Sequence, residues 1–436
     1  MSETIWYFAG IVVIALGIGV SIGLHELGHL LPAKKFGVKV PTYAIGFGPT
    51  LFKFKRGETT YAFKLIPLGG YITMIGMYPP SKTAEPQDKK RSFFIDIIFT
   101  ARNAHSEHIT PADKNRMFYQ LPVWKRLVIM FGGPFMNLVL GVVVMISVLT
   151  GLGTPTLSNT VAEVSKCVTV GSIECAPGTD SASPALQAGI KPNDKLLSIN
   201  GKAINTSTDL SGNLVTGQPA TIRLERDGKQ VDVQVTPVEA LRIKSDGKGN
   251  AVVDDQGKVV MELRPVIGVL FGTERKSQPI TVALEQSASA IGQVGKMIVT
   301  LPQQLTDVAI STFTGTERNA NGAVSVIGIG QLSGEVGANQ NIDPIAKLSI
   351  WLSILASLNF ALFGFNMLPL LPLDGGHIAG GLYESIKRGI FKLMRKPDPG
   401  PADTALLMPA TWFVFILLMA MSALLIFADL VNPITL

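Results

Sequence analysis

Four stretches of this 436-residue chain carry no Asp, Glu, Lys or Arg: residues 5–24, 127–152, 348–373 and 404–428. A helix that crosses a bilayer needs about 20 predominantly apolar residues, and buried helices of soluble proteins rarely run so long without a charge. The pattern predicts four transmembrane helices. Composition agrees, with 16% charged and 47% hydrophobic residues and a mean hydropathy of +0.34, against about 25% charged residues in an ordinary soluble domain. The first stretch has only Glu3 before it, shows no small-residue cleavage site and runs directly into His25. It therefore reads as a retained span, not as a signal peptide.

Lys plus Arg number 38 and Asp plus Glu 32, a net charge of +6. That surplus excludes a nucleic-acid reading once it is placed, because it follows the loops. Residues 31–126 hold 16 bases and 6 acids, whereas residues 153–347 hold 17 bases and 19 acids. Lys387, Arg388, Lys392, Arg395 and Lys396 lie between the third and fourth stretches. Cytoplasmic loops carry the Lys/Arg excess. This places 31–126 and 375–403 in the cytosol, and 153–347 with both termini outside. Cys167 and Cys175, the two cysteines of the chain, share the outer region. A disulfide is expected there, with two unpaired thiols as the alternative.

Between the spans, Gly46-Phe-Gly48-Pro49 and Pro67-Leu-Gly69-Gly70 punctuate short β-like runs at 60–66 and 71–75. Residues 81–120 are polar and mixed, and His105 and His108 within them read as a solvated loop. Residues 160–237 alternate strand-like runs with turn signals at Asn200-Gly201 and Asp227-Gly228, and a short helix at 185–188 is stopped by Gly189. A further β run is expected at 261–271. Apolar residues stepping by three and four from Ile280 to Leu301 then predict an amphipathic helix closed by Pro302. It packs on protein or lies at the outer interface. Residues 311–345, rich in Gly, Asn and Ser, read as a loop.

The chemistry concentrates at His25-Glu26-Leu27-Gly28-His29, at the cytosolic end of the first span. Side chains four apart share a helix face, and two imidazoles at that spacing can grip one Zn²⁺. Glu26 is then placed to take a proton from a water that the metal activates. A metal-binding group inside a span is costly and functional by default. A catalytic zinc needs a third protein ligand. Asp374, closing the run from Asn366 through Pro369 and Pro372, lies at similar depth by topology. Spacing alone leaves it open whether Asp374 is a ligand or a helix cap, and His377 is an alternative ligand from the same turn.

With these residues in place, the sequence resembles the site-2 protease family of intramembrane zinc metalloproteases, and within it the actinobacterial branch. The matching pieces are His25-Glu26-x-x-His29, Gly46-x-Gly48, Pro67-Leu-Gly69-Gly70, Gly133-Pro134-x-x-Asn137 and Asn366 through Asp374-Gly375, in order over nearly the whole chain. Pro372 sits one place later than in the family's common pattern, while the Asn-to-Asp spacing is kept. The resemblance implies that His25, His29 and Asp374 bind zinc, that Glu26 is the general base, and that Asn366 helps hold the substrate backbone. It further implies that Gly46, Gly48, Gly69 and Gly70 belong to a membrane-associated β element able to pair with an unwound substrate. Residues 160–237 resemble a PDZ domain through 183–190 and 194–201, with Asn193 where that pattern usually has glycine.

The expected protein is a polytopic α-helical membrane protein with four transmembrane helices, a membrane-associated β element and one extracytoplasmic α+β PDZ domain. Its expected parts are the first span with the zinc motif (1–30), a cytosolic loop with the β element (31–126), the second span (127–152) and the PDZ domain (160–237). An outer β run, amphipathic helix and loop (238–345) follow, then the third span with the Asp-Gly motif (346–376) and the fourth span (404–430). The resemblance implies a bacterial cell-membrane location and contact with membrane lipid. It implies single-span substrates such as anti-sigma factors or signal-peptide remnants, trimmed first by an upstream site-1-type protease, and no nucleic-acid partner. Two other classes compete. A membrane-anchored PDZ scaffold with a degenerate metal site conflicts with the intact His25, Glu26, His29 and Asp374. A zinc transporter would want polar groups across several spans, and the second and fourth offer only Asn137 and hydroxyls.

Overall fold

The computed structural model describes residues 2–80, 92–103, 109–168, 181–205, 207–244, 252, 259–319 and 322–434. His105, His108 and Cys175 lie outside the described residues. The chain forms two compact units, residues 1–152 with 278–436, and residues 153–277.

The first unit opens with helix α1, Glu3–Lys35. It continues past the expected end at residue 30 and through Pro32, and Gly37 at φ +85° ends it. Proline cannot donate to the carbonyl four residues back, so the carbonyl of Gly28 is left without its helical partner. Strands β1 (Thr42–Arg56) and β2 (Thr59–Thr73) form an antiparallel hairpin, longer than the expected runs. Both strands bend. Thr42–Ile45 pair with 70–73 in antiparallel register and also lie beside 60–63, number for number in the same direction, while 50–56 fold back on 59–64. The bends fall at Gly46 (φ +88°) and Gly69 (φ +105°). A Cβ on Gly46 would sit 2.6 Å from the Ile66 carbonyl, so only glycine turns the chain there. Helix α2 follows at Phe93–Asn103, in a stretch the composition marks only as polar and mixed. Helix α3 spans Val123–Ile146 and passes through Pro134.

The second unit contains β3 (Thr154–Val164), α4 (Pro184–Gln187), β4 (Lys195–Ile199), β5 (Lys202–Ala203), α5 (Ser207–Ser211), β6 (Ala220–Arg226), β7 (Lys229–Val235), β8 (Val238–Ile243), β9 (Met261–Val266) and β10 (Val269–Lys276). Its main sheet runs β10-β3-β4-β6-β7 with β5 beside β4, and β8 and β9 form a separate pair. The expected single run at 261–271 is thus two strands in different sheets, broken at Ile267-Gly268, where Gly268 has φ +84°. Alternate residues Ile222 and Leu224 of β6 meet Leu196, Ile199, Ile204 and Val161 in a buried core, as strand periodicity dictates. Asn193 adopts φ +71°, a conformation asparagine tolerates. It leads into Asp194, which accepts from Lys191 N–H at 2.8 Å and from both arms of the Arg226 guanidinium at 2.7 and 2.6 Å. Cys167 bridges to Ala182.

The chain then returns to the first unit through a series of helices. Helix α6, Ile280–Thr314, runs on through Pro302, where the expected helix closes. A proline within a helix costs one bond and a bend, and packing on both sides compensates. Val294 meets Gly364, and Val308 packs with Leu425 and Ala428. Helix α7, Val326–Ala338, occupies the expected loop at 311–345. Its glycines let it lie against α1, and a Cβ on Gly337 would fall 2.1 Å from the Trp6 carbonyl. Helix α8 is Pro344–Asn366, α9 is Asp374–Leu393 and α10 is Met408–Val431. The third span therefore stops at Asn366, not 376. Pro369 and Pro372 cannot extend a helix, and Asp374 opens a separate one. Among the described residues, four segments are long and apolar enough to cross a membrane: Glu3–Lys35, Val123–Leu152, Pro344–Asn366 and Thr404–Val431.

Burial pushes the Asp194 carboxyl up, but the Arg226 fork and the Lys191 N–H outweigh it and hold the group below the usual carboxylate range. Its stabilisation is complete above about pH 4, the ordinary carboxylate range, and is lost as pH falls through the lowered folded-state pKa. Arg226→Ala should destabilise residues 153–277 by on the order of 3 kcal/mol. Hydrogen exchange on the full chain should show faster exchange in β4 and β6. Unchanged protection would remove the pair from the account of this unit.

Candidate metal centre

Helix α1 presents His25 and His29 on one face, and their Nε2 atoms lie 3.3 Å apart. Asp374 enters from α9. Its Oδ2 is 3.2 Å from His25 Nε2 and its Oδ1 is 3.3 Å from His29 Nε2. Among the described residues, these three alone form a group whose ligand atoms, one from each, lie within 4.8 Å of one another. Asp374 is the first residue of α9, yet Leu373 holds the capping position and makes no side-chain cap. The carboxylate turns to the imidazoles and makes no cap to α9. His377, one turn on, stands outside the cluster, with its ring 6.3 Å from that of Tyr78.

Glycines make the centre possible. A Cβ on Gly133 of α3 would fall 2.1 Å from His29 Nε2. A Cβ on Gly132 would fall 2.0 Å from the Gly28 carbonyl, the one that Pro32 leaves without its helical partner. Small residues let helices in a bilayer approach backbone to backbone, and here the imidazole takes the space a side chain would fill. His29 Nδ1 lies 2.7 Å from the Ile129 carbonyl. A carbonyl only accepts, so Nδ1 carries the proton and Nε2 offers a lone pair toward His25 and Asp374. Asn137 Nδ2 lies 3.2 Å from His25 Nδ1.

Glu26 points to the hairpin side and is 8% exposed. A Cβ on Gly70 of β2 would sit 3.0 Å from Glu26 Cγ. Tyr43 of β1 donates to the Gly23 carbonyl at 2.7 Å, tying the hairpin to the turn that carries His25. Of the expected substrate-binding residues, Gly70 reaches this centre. Gly46, Gly48 and Gly69 shape the hairpin bends, and Asn366 is the last residue of α8, partly exposed. Ile129 and Gly133 support the site through a backbone carbonyl and a missing side chain. Sequence assigns such contacts poorly, and only the Gly133-Pro134 motif marked the place.

The donor set fits zinc. Two imidazoles and one carboxylate leave a fourth position open, and Asp374 Oδ2 is buried with no hydrogen-bond partner. Three lone-pair donors converging in a buried place are otherwise unfavourable.

The profile of peptidase family M50 matches residues 13–396. The chain is 30% identical over 442 residues to zinc metalloprotease Rip1 of Mycobacterium tuberculosis, covering 99% of each chain. It is likewise 30% identical over 437 residues to zinc metalloprotease Rip1 of Mycolicibacterium smegmatis, covering 98% of each.

Two variants separate the parts. Asp374→Ala should lower zinc content well below stoichiometric in the purified protein, and unchanged zinc would transfer the third ligand to His377. Gly133→Ala should displace His29 and lose both zinc and activity. A Gly133→Ala protein with full zinc would contradict the close approach.

Proposed function

Because the chain belongs to peptidase family M50, the site-2 proteases, and is a membrane-integral zinc metallopeptidase, we propose that it cleaves single-span membrane proteins at His25, Glu26, His29 and Asp374. The observation that carries this reading is the convergence of two imidazoles and a carboxylate from separate helices beside the buried Glu26. Zinc held by His25, His29 and Asp374 supplies Lewis-acid polarisation of the scissile carbonyl and activation of water. Glu26 accepts the proton of the attacking water and returns it to the departing amine. Gly70 leaves room for its side chain.

The hairpin supports a role in presenting substrate. Its 70–73 segment lies at the sheet edge beside Glu26. A helical peptide bond is shielded by its own hydrogen bonds, and strand addition to an edge exposes it. Asn366, where α8 gives way to the turn, holds the extended substrate backbone. The Lys/Arg excess of 31–126 favours the hairpin and the metal centre near the cytosolic face, with 153–347 and both termini outside. Residues 160–237 act as a PDZ domain that admits substrates only after an upstream protease has trimmed them. Anti-sigma factors and signal-peptide remnants fit that description. An oxidising exterior suits a Cys167–Cys175 disulfide.

Co-expression with a tagged single-span protein lacking its outer domain tests the reading. Wild type should release a shorter cytosolic fragment. Glu26→Gln should release none, a loss of at least about 10²-fold for a missing general base, while keeping its zinc. Fragment from Glu26→Gln would remove the general-base assignment. Absence of fragment from both proteins across several trimmed substrates would favour the scaffold reading.

A further inference from the structure

Asn137 is 1% exposed within α3. Its Nδ2 lies 3.2 Å from His25 Nδ1, and its Oδ1 is buried with no hydrogen-bond partner. The amide nitrogen and oxygen exchange places by a half-turn about the side chain and are assigned from their surroundings. With Nδ2 toward the ring, His25 Nδ1 must accept. Its proton then sits on Nε2, the atom facing His29 Nε2 at 3.3 Å and Asp374 Oδ2 at 3.2 Å. That arrangement closes His25 to a metal. With Oδ1 toward the ring, Nδ1–H donates and Nε2 carries the lone pair. His29 already has this second form, its Nδ1 directed at the Ile129 carbonyl.

We propose that Asn137 is the positioning residue of His25: its Oδ1 accepts from Nδ1–H, fixing the tautomer and ring orientation that present Nε2 to the zinc. Such outer partners of metal-bound histidines set ligand basicity and orientation. The two histidines then differ usefully. His29 is held by a main-chain carbonyl that substitution cannot remove, whereas His25 depends on one side chain of the neighbouring helix. The inference rests on the reading that His25, His29 and Asp374 hold zinc.

The test is zinc affinity of the full-length protein in detergent, stripped of metal and titrated back against a competing chelator. Wild type is compared with Asn137→Leu, which keeps volume and removes the acceptor, and with Asn137→Asp, which keeps an acceptor oxygen. Asn137→Leu should bind zinc about 10–100-fold more weakly and change the visible spectrum of the Co²⁺-loaded protein. Asn137→Asp should keep the wild-type affinity or exceed it. Unchanged affinity in Asn137→Leu, or equal loss in both variants, would overturn the assignment. Thermal unfolding of the metal-free proteins separates packing from ligation, and Asn137→Ala replaces the leucine variant if that one does not fold. Wild type without stoichiometric zinc, or His25→Ala with full zinc, would instead sink the reading of the site itself.

Discussion

The contact on which the centre depends is the backbone-to-backbone approach of α1 and α3 at Gly28, Gly132 and Gly133. Titratable groups inside a span are expensive, and this chain brings two imidazoles and the Asp374 carboxylate together near Glu26. A Cβ on Gly28 or Gly132 would lie 2.2 or 2.0 Å from the facing carbonyl, so side chains there would force the helices apart. With them absent, His29 lies over Gly133 and meets Ile129, while Asn137, one turn further along α3, reaches His25. Pro32 adds to the same contact by leaving the Gly28 carbonyl to face Gly132.

Asp374 reaches this point from almost the full length of the chain away. Its helix α9 is fixed by Glu384, itself 1% exposed, which accepts from Arg126 of α3 at 2.6 Å and from the Ala402 N–H at 2.9 Å. A buried carboxylate with both oxygens engaged is a firm anchor, since losing either partner leaves a charge unpaired. The first turn of α9 rests on the preceding turn, where a Cβ on Gly375 would meet the Leu368 carbonyl at 2.2 Å. The position of Asp374 is thus set by an ion pair to α3, the helix that also packs against His29. Activity in this family needs zinc, and the geometry explains how an apolar protein keeps a polar donor set assembled.

Much of this was legible in the sequence, for physical reasons that differ by element. The four apolar stretches are long and uncharged, and the structure has four helices fit to cross a membrane at the corresponding places. The His25–His29 spacing is local, so the shared face follows from helix geometry alone. What periodicity could not give was anything long-range. The bends at Gly46 and Gly69 that fold two strands over one another depend on cross-strand contacts, and the separation of β9 from β10 depends on sheet pairing. Composition misled where packing overrides propensity. The glycines and serines of α7 suggest a loop but serve close contact with α1, and Pro302 suggests a helix end inside a helix packed on both flanks. The break at Asn366 was signalled by Pro369 and Pro372, but uncharged residues on both sides concealed it in a reading by charge.

We propose that His25, His29 and Asp374 together hold one zinc ion. Zinc K-edge X-ray absorption on the full-length protein, beside the Asp374→Ala variant, tests it most directly. The account predicts a first shell of nitrogen and oxygen at about 2.0–2.1 Å, with the scattering of two imidazoles and no sulfur, and the loss of an oxygen neighbour in the variant. A sulfur shell, a single imidazole, or an identical spectrum from Asp374→Ala would contradict it.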